Sequence, residues 1–282
     1  MSVSPLSTVR AARKALAERL SELRKDAGLT GRELGVRCGW SESKSSRIES
    51  ARTAPSDADI RAWCSACGAA DQAPDLVAAN RTAESMYIQW KRRHRAGMRR
   101  AQAELLPLYE RTRVFRIYCS NVVPGLLQTP PYATSLMGMI TKFQGTPDDL
   151  GEAVATRMER ARVLYQGGHT FAILLEEAVL RHRLGSTEVM AGQLAHLLSV
   201  LSLPSLSLGV IPAAAERTMW PLEAFYLFDD RLVSVETLTA EVNVTAPSEA
   251  HDYIKAFAEL SRSAVFGAQA RTLITDAKRT FR

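Results

Sequence analysis

The sequence predicts an α+β chain: an all-α N-terminal domain of five helices, followed by a mixed α/β domain with a small sheet. Three observations predict it. Short helical runs with cap residues and terminating glycines fill the chain up to Gly68. Strand-like runs begin only at Phe171. Positive charge is confined to the front: residues 1–75 carry 12 basic and 10 acidic side chains, residues 76–115 carry nine and three, and residues 116–282 carry 15 and 17. A basic front on a nearly neutral body points to a polyanionic partner for the front alone. At 282 residues the chain exceeds one small domain. The expected division is a helical domain over 1–75, a basic helical linker over 76–115 and a mixed domain over 116–282.

Hydrophobic residues make up 46% and charged residues 23%, which is enough apolar material for packed cores and excludes wholesale disorder. No apolar run approaches the roughly 18 residues that span a bilayer. The N-terminal segment lacks an apolar stretch with a cleavage site. A cytoplasmic protein without membrane contact is expected. Cys38, Cys64, Cys67 and Cys119 are then free thiols. Cys64 and Cys67 form one CxxC, but no second ligand pair lies nearby to complete a zinc site. No metal and no cofactor are expected.

The first helix runs from Val9 to Asp26, with Leu16, Leu20 and Leu23 on one face and Gly28 past its end. Thr30 and Glu33 have capping-box spacing and open a short helix from Gly31 to Cys38. Gly39 and Trp40 form a turn. Ser41 caps a third helix that ends near Ser50. Pro55 breaks the chain, and a fourth helix runs from Asp57 to Cys67 with Ile60, Trp63 and Cys64 inward. A longer helix is expected over 75–95, ending in the basic run Lys91, Arg92, Arg93 and Arg95, which fits either a solvated helix end or a phosphate contact. Residues 101–118 are expected to be helical again.

The second and third helices have helix-turn-helix mechanics. Leu34 and Ile48 can pack against each other, Gly35 is small where the helices approach, and Gly39 tolerates the tight turn. The N-terminal end of such a third helix enters the DNA major groove. The candidate DNA-contacting set is Arg32, Ser41, Glu42, Ser43, Lys44, Ser46 and Arg47. Arg47 can donate a bidentate pair to guanine, and Glu42 can accept from cytosine. Ser41, Ser46 and the helix amides suit phosphate oxygens. The rival reading is a helical hairpin that binds no DNA. Outer face, turn glycine and front-loaded charge together favour DNA.

This stretch resembles the phage-repressor-like (Cro/C1, or XRE) helix-turn-helix family through Glu33-Leu34-Gly35, Gly39, Ser41, Ser43-Lys44 and Ser46-Arg47-Ile48-Glu49. Ser45 departs from the pattern: the family has a buried aliphatic residue there, so weaker helix packing is expected. Ser50-Ala51 also replaces the usual exit glycine. The resemblance implies a transcription regulator that binds double-stranded DNA. A single helix-turn-helix buries little surface, so a homodimer on a pseudo-palindromic operator is expected.

Beyond residue 120 the texture changes. Val122 to Thr129 is turn-rich, helices are expected over 130–142 and 148–165, and Gly167-Gly168 breaks the second. Strands are expected over 171–176, 205–211, 224–228 and 232–236, with a hairpin turn at Asp229-Asp230-Arg231 and helices over 188–201, 248–263 and near the C-terminus. No nucleophile elbow, phosphate loop or metal spacing appears, so no enzyme is expected. His182 and His196 read as ordinary helical residues, and Glu176-Glu177 as a solvated strand end. Pro124-Gly125 should turn Leu126 and Leu127 inward and leave Gln128 and Thr129 to cap the next helix.

The run Val123-Pro-Gly-Leu-Leu-Gln-Thr129, with Tyr132-Ala133, Arg157, Glu176-Glu177, Leu180-Arg181, Gln193-Leu194, Val210-Ile211-Pro212 and Val235-Glu236, resembles a C-terminal domain of unknown function. That domain accompanies this kind of helix-turn-helix in antitoxin-like regulators of sporulating, high-GC bacteria. The resemblance spans residues 90–276. It implies a domain that senses a small-molecule effector or a small protein partner. An alternative it leaves open is an antitoxin-like interaction protein whose DNA binding is autoregulatory.

Overall fold

The computed structural model describes the backbone of residues 5–82 and 87–281, and the side chains of these except residues 5–12, 81, 82, 87–89, 91 and 92. The chain divides into two compact units, Met1–Tyr87 with Asn243–His251, and Ile88–Val242 with Asp252–Arg282. Among the described residues no helix is long and apolar enough to cross a membrane.

The first unit is helical. Its helices are α1 (Pro5–Asp26), α2 (Gly31–Cys38), α3 (Glu42–Glu49), α4 (Asp57–Ala66) and α5 (Ala73–Thr82). Leu16, Leu20 and Leu23 of α1 recur at helical spacing, and all are buried with Leu34, Ile48, Ile60 and Trp63. Trp63 is the largest side chain at the centre. Its indole N–H donates to the Leu20 carbonyl at 2.9 Å, so the ring is buried with its one polar atom satisfied. Ser56 opens α4 through a capping box with Asp59, just after the break at Pro55.

The second unit adds β1 (Tyr87–Gln89), α6 (Trp90–Arg93), α7 (Met98–Ala103), α8 (Leu106–Arg111), β2 (Val114–Cys119), α9 (Pro130–Gln144) and α10 (Leu150–Ala161). It continues with β3 (Thr170–Glu176), α11 (Thr187–Val200), β4 (Leu206–Ile211), β5 (Phe225–Phe228), β6 (Leu232–Glu236), β7 (Ala240–Val244), α12 (Pro247–Arg262) and α13 (Gly267–Arg279). The strands form one sheet of seven in the order β1-β7-β6-β5-β2-β3-β4. β2 pairs with β3, and β3 with β4, in parallel; β5 is antiparallel to both β2 and β6. Asp229 and Asp230 have positive φ in the β5–β6 hairpin, as the turn sequence predicts.

One face of the sheet carries Phe115, Ile117, Phe171, Ile173 and Leu175 against α11 and α13. Phe115 is the hub of an aromatic cluster, stacked on Phe171 at 4.7 Å between centroids and edge-on to Phe228 at 5.8 Å. On the other face Phe225 meets Tyr118, Tyr253 and Phe257.

Several expectations need correction. The helix expected over 75–95 ends at Thr82, and residues 87–89 form β1. The helix expected over 101–118 is two short helices and then β2, the strand between β5 and β3. Both faces of β2 are covered, so its sequence lacks the polar alternation that marks a half-buried strand. Residues 76–115 are therefore not a separate linker: α5 belongs to the first unit, while α7 and α8 belong to the second. Within the basic run, the Lys91 and Arg92 side chains lie outside the described residues. Arg93 is turned inward against Glu241, while Arg95 is exposed.

Glu176 is not a solvated strand end. It is buried, accepts from the Tyr118 hydroxyl at 2.8 Å, and binds Arg217 through both oxygens at 2.9 and 2.5 Å. His182 lies in a turn after a short 3-10 helix and contacts the Asn121 carbonyl. Thr129 occupies the cap position of α9 without a side-chain cap bond; Gln193 of α11 accepts from its amide at 2.7 Å.

Phe115→Ala is expected to cost about 3–5 kcal/mol, because the surrounding rings cannot collapse into the void. Urea denaturation followed by circular dichroism measures it. A loss below about 1 kcal/mol would show that the cluster is not close-packed.

Candidate nucleic-acid interface

The α2–turn–α3 segment is built from local signals. Thr30 and Glu33 form both halves of the capping box: the Glu33 amide donates to the Thr30 hydroxyl at 3.2 Å, and the Thr30 amide donates to the Glu33 carboxylate at 2.8 Å. The Thr30 amide and hydroxyl hold the Glu33 carboxyl below its ordinary value. Gly39 ends α2 at φ 72°, a conformation that favours glycine. At Gly35 a Cβ would come within 2.8 Å of the Trp40 carbonyl oxygen, so only glycine fits between helix and turn.

Ser45 is fully buried, yet the expected weakness is offset. The Trp40 indole N–H donates to the Ser45 hydroxyl at 2.9 Å across the turn. A buried hydroxyl is costly only when unpaired. Trp40 thus takes the place of an aliphatic contact, and its ring also meets Trp63 at 6.3 Å.

Two ion pairs orient α3. Arg24 of α1 reaches Glu49 at 2.6 and 3.3 Å and also donates to the Leu29 carbonyl at 2.6 Å. Lys44 reaches Asp59 of α4 at 2.6 Å, with its ammonium 4.4 Å from the Trp40 ring centroid. Burial pushes the Asp59 carboxyl up, but the Lys44 ammonium and the Ser56 amide and hydroxyl outweigh it, and the net shift is downward.

These contacts sort the candidate set. Arg32, Ser41, Glu42, Ser43, Ser46 and Arg47 are all exposed. Ser41 is at the cap position of α3 but makes no side-chain cap bond, contrary to expectation. Arg47 lies along α3, with Nε on the Ser43 carbonyl at 3.2 Å. Lys44, the remaining member, is half-buried and faces α4, where its ammonium is held by Asp59. The supporting roles of Arg24, Trp40 and Asp59 were not expected. Arg24 and Glu49 are 25 residues apart, and no short-range pattern links them.

The cysteines of this unit are packing groups. Burial pushes the Cys38 and Cys64 thiols up to about 11.

Trp40→Phe and Ser45→Ala should each destabilise the protein, and the double variant should cost less than their sum by about 1 kcal/mol. Additive losses in urea denaturation would show that the bond contributes nothing. The Lys44–Asp59 pair contributes fully above the ordinary Asp value of 3.8 and is lost as pH falls through the lower folded value. Asp59→Asn should therefore reduce the loss of stability between neutral pH and about pH 3. An unaltered acid limb in pH-dependent melting would contradict that.

Residues 15–77 match a helix-turn-helix domain family. Residues 102–276 match a domain of unknown function, DUF5753. A search of curated proteins finds no match. The helix-turn-helix supports a DNA-binding regulator, and its exposed α3 face lies within the matched residues. The longer match covers more than half of the 282 residues, and the chain belongs to the DUF5753 family, with a helix-turn-helix domain ahead of that domain.

Proposed function

We propose that the protein is a cytoplasmic, sequence-specific transcription regulator of the Cro/C1 type, without enzymatic activity. It binds a pseudo-palindromic operator as a homodimer, and its second unit senses an effector. The observation that carries this reading is the outer face of α3. Ser41, Glu42, Ser43, Ser46 and Arg47 are exposed there, while Arg24, Lys44 and Trp40 are engaged within the unit. A helix whose inner side is fully engaged and whose outer side is polar suits insertion into a major groove. Arg47 reads a base, Arg32 contacts phosphate, and Lys44 positions α3. A single small module buries little surface, which favours two half-sites on a symmetric dimer.

A second reading, an antitoxin-like interaction protein, is favoured by Trp220. It lies between β4 and β5 and is 68% exposed, and tryptophan is enriched at protein interfaces. A small protein encoded beside this one that co-purifies with the chain, and is lost with Trp220→Ala, would support it.

Fluorescence anisotropy on DNA from upstream of the protein's own gene, against scrambled DNA at two salt concentrations, tests the first reading. Tight, sequence-dependent and salt-sensitive binding is expected. Arg47→Ala should lose about 1–3 kcal/mol of specific affinity. Arg32→Ala should weaken both DNAs alike and lower the salt slope by about one. Equal, weak binding to both DNAs by the unaltered protein would count against autoregulation and move weight to the interaction reading.

A further inference from the structure

The second unit holds a cavity of about 570 Å³, within the range of small-molecule sites. Its walls include Leu105, Leu136, Met139, Ile140, Phe143 and Leu238. Three of these are exposed apolar side chains: Met139 is 47%, Phe143 72% and Leu238 74% exposed.

Three guanidinium groups line the same cavity, those of Arg93, Arg157 and Arg160, and the last two lack a carboxylate partner among the described residues. Arg157 of α10 donates to the side-chain carbonyls of Gln128 at 2.8 Å and Gln102 at 3.2 Å, both neutral acceptors. Arg160, one turn on, is only 5% exposed, and its Nη1 is buried with no hydrogen-bond partner. Its guanidinium lies 4.6 Å from the Tyr109 ring centroid. Neither arginine is ion-paired with a carboxylate among the described residues. A buried, unpartnered guanidinium N–H is costly unless an anion meets it.

The other charged groups of the cavity do not supply that anion. Glu241 is taken by Arg93 and accepts from the Ser234 hydroxyl at 2.8 Å. His94 is held below its ordinary value by burial, and its Nδ1 meets Gln144 at 2.8 Å. Glu236 alone is unpaired among the described lining carboxylates, and it is exposed. Two cations against one carboxylate leave a single positive charge. Burial, and then the neighbouring Arg160, lower the Arg157 guanidinium to about 10, and Glu236 offsets this only in part.

The Val123-to-Thr129 run builds this arrangement. Gln128 accepts from Arg157 and donates to the Val123 carbonyl at 2.7 Å. A Cβ at Gly125 would lie 3.1 Å from Arg160 Nη2, so glycine lets the guanidinium close on the turn.

We propose that the cavity binds a small apolar monoanion, a carboxylic or sulfonic acid with an aliphatic or aromatic body, its acid group on Arg157 and Arg160 and its body among the Leu, Ile, Met and Phe side chains. The inference rests on the reading of the second unit as an effector sensor, and it names the effector's chemistry. Guanidinium groups suit such acids because their planar N–H forks match the oxygens of the acid.

The test is calorimetric titration of the full chain with octanoate and 1-naphthoate, each against its neutral amide. At least one acid should bind, with a preference of about tenfold or more over its amide. Arg157→Met and Arg160→Met should abolish that preference. Loss of a buried arginine can unfold the protein, so Phe143→Glu/Leu238→Glu serves as a second variant. Both positions are already exposed, so melting should be unchanged while acid affinity falls about tenfold. Failure of both acids to bind, equal binding of acid and amide, or unchanged acid binding in the folded variants would overturn the proposal. Operator anisotropy run in parallel separates the two readings. Acid binding without DNA binding would count against autoregulation and leave the ligand standing, and DNA binding without acid binding would sink only the ligand.

Discussion

Parallel strands cannot be joined by a hairpin, and the rest of the second unit follows from that constraint. β2 and β3 pair in parallel, so the chain between Cys119 and Thr170 must cross from one end of the sheet to the other. That crossover carries the Val123-to-Thr129 turn, α9 and α10. The Val123-to-Thr129 turn is largely buried, and its polar groups need partners inside. Gln193 of α11 supplies one: it accepts from the Thr129 amide and donates to the Leu127 carbonyl at 2.6 Å. Gln128 supplies another by bridging the turn to Arg157. The crossover is thus held by neutral amides and carries Arg157 and Arg160 toward the cavity. A motif that reads as purely architectural is also what positions the charged groups of the cavity.

The first unit follows a related economy. Its core is small, and the orientation of α3 depends on polar pairs at the edge of that core. Arg24 with Glu49, Lys44 with Asp59, and Trp40 with Ser45 join α3 to α1, to α4 and to the turn. The first two pairs are partly screened by solvent and add modestly to stability. Their larger effect is geometric, because each removes a rotation that would turn the outer face away from a groove. Drawing Lys44 and Arg24 inward also lowers the free positive charge on this face. On the proposed reading, recognition then rests on few side chains, with Arg47 foremost, more than on a diffuse basic field.

Much of this was legible in the residues. Helix boundaries in the first unit follow from Thr30 with Glu33, Ser56 with Asp59, and Gly39, because capping is local chemistry. Strands β3 to β6 follow from apolar runs bounded by turn residues. β2 was not legible, because burial on both faces removes the alternation that marks a strand, and the helices before it extend the same apolar texture. β1 and β7 are short, and their place depends on a sheet edge that already exists.

The sequence by itself determined which segments are capped helices, which face of α3 is polar, and that positive charge lies ahead of residue 116, because each depends on neighbours a few residues apart. Only the tertiary structure decided that Lys44 turns inward, that buried Ser45 is satisfied by Trp40, that Glu176 is clamped by Arg217, and that Arg157 and Arg160 share one cavity. The physical reason is the same in each case. A charge or a hydroxyl is settled by whatever polar atom folding brings within about 3 Å, and distance along the chain does not reveal that partner.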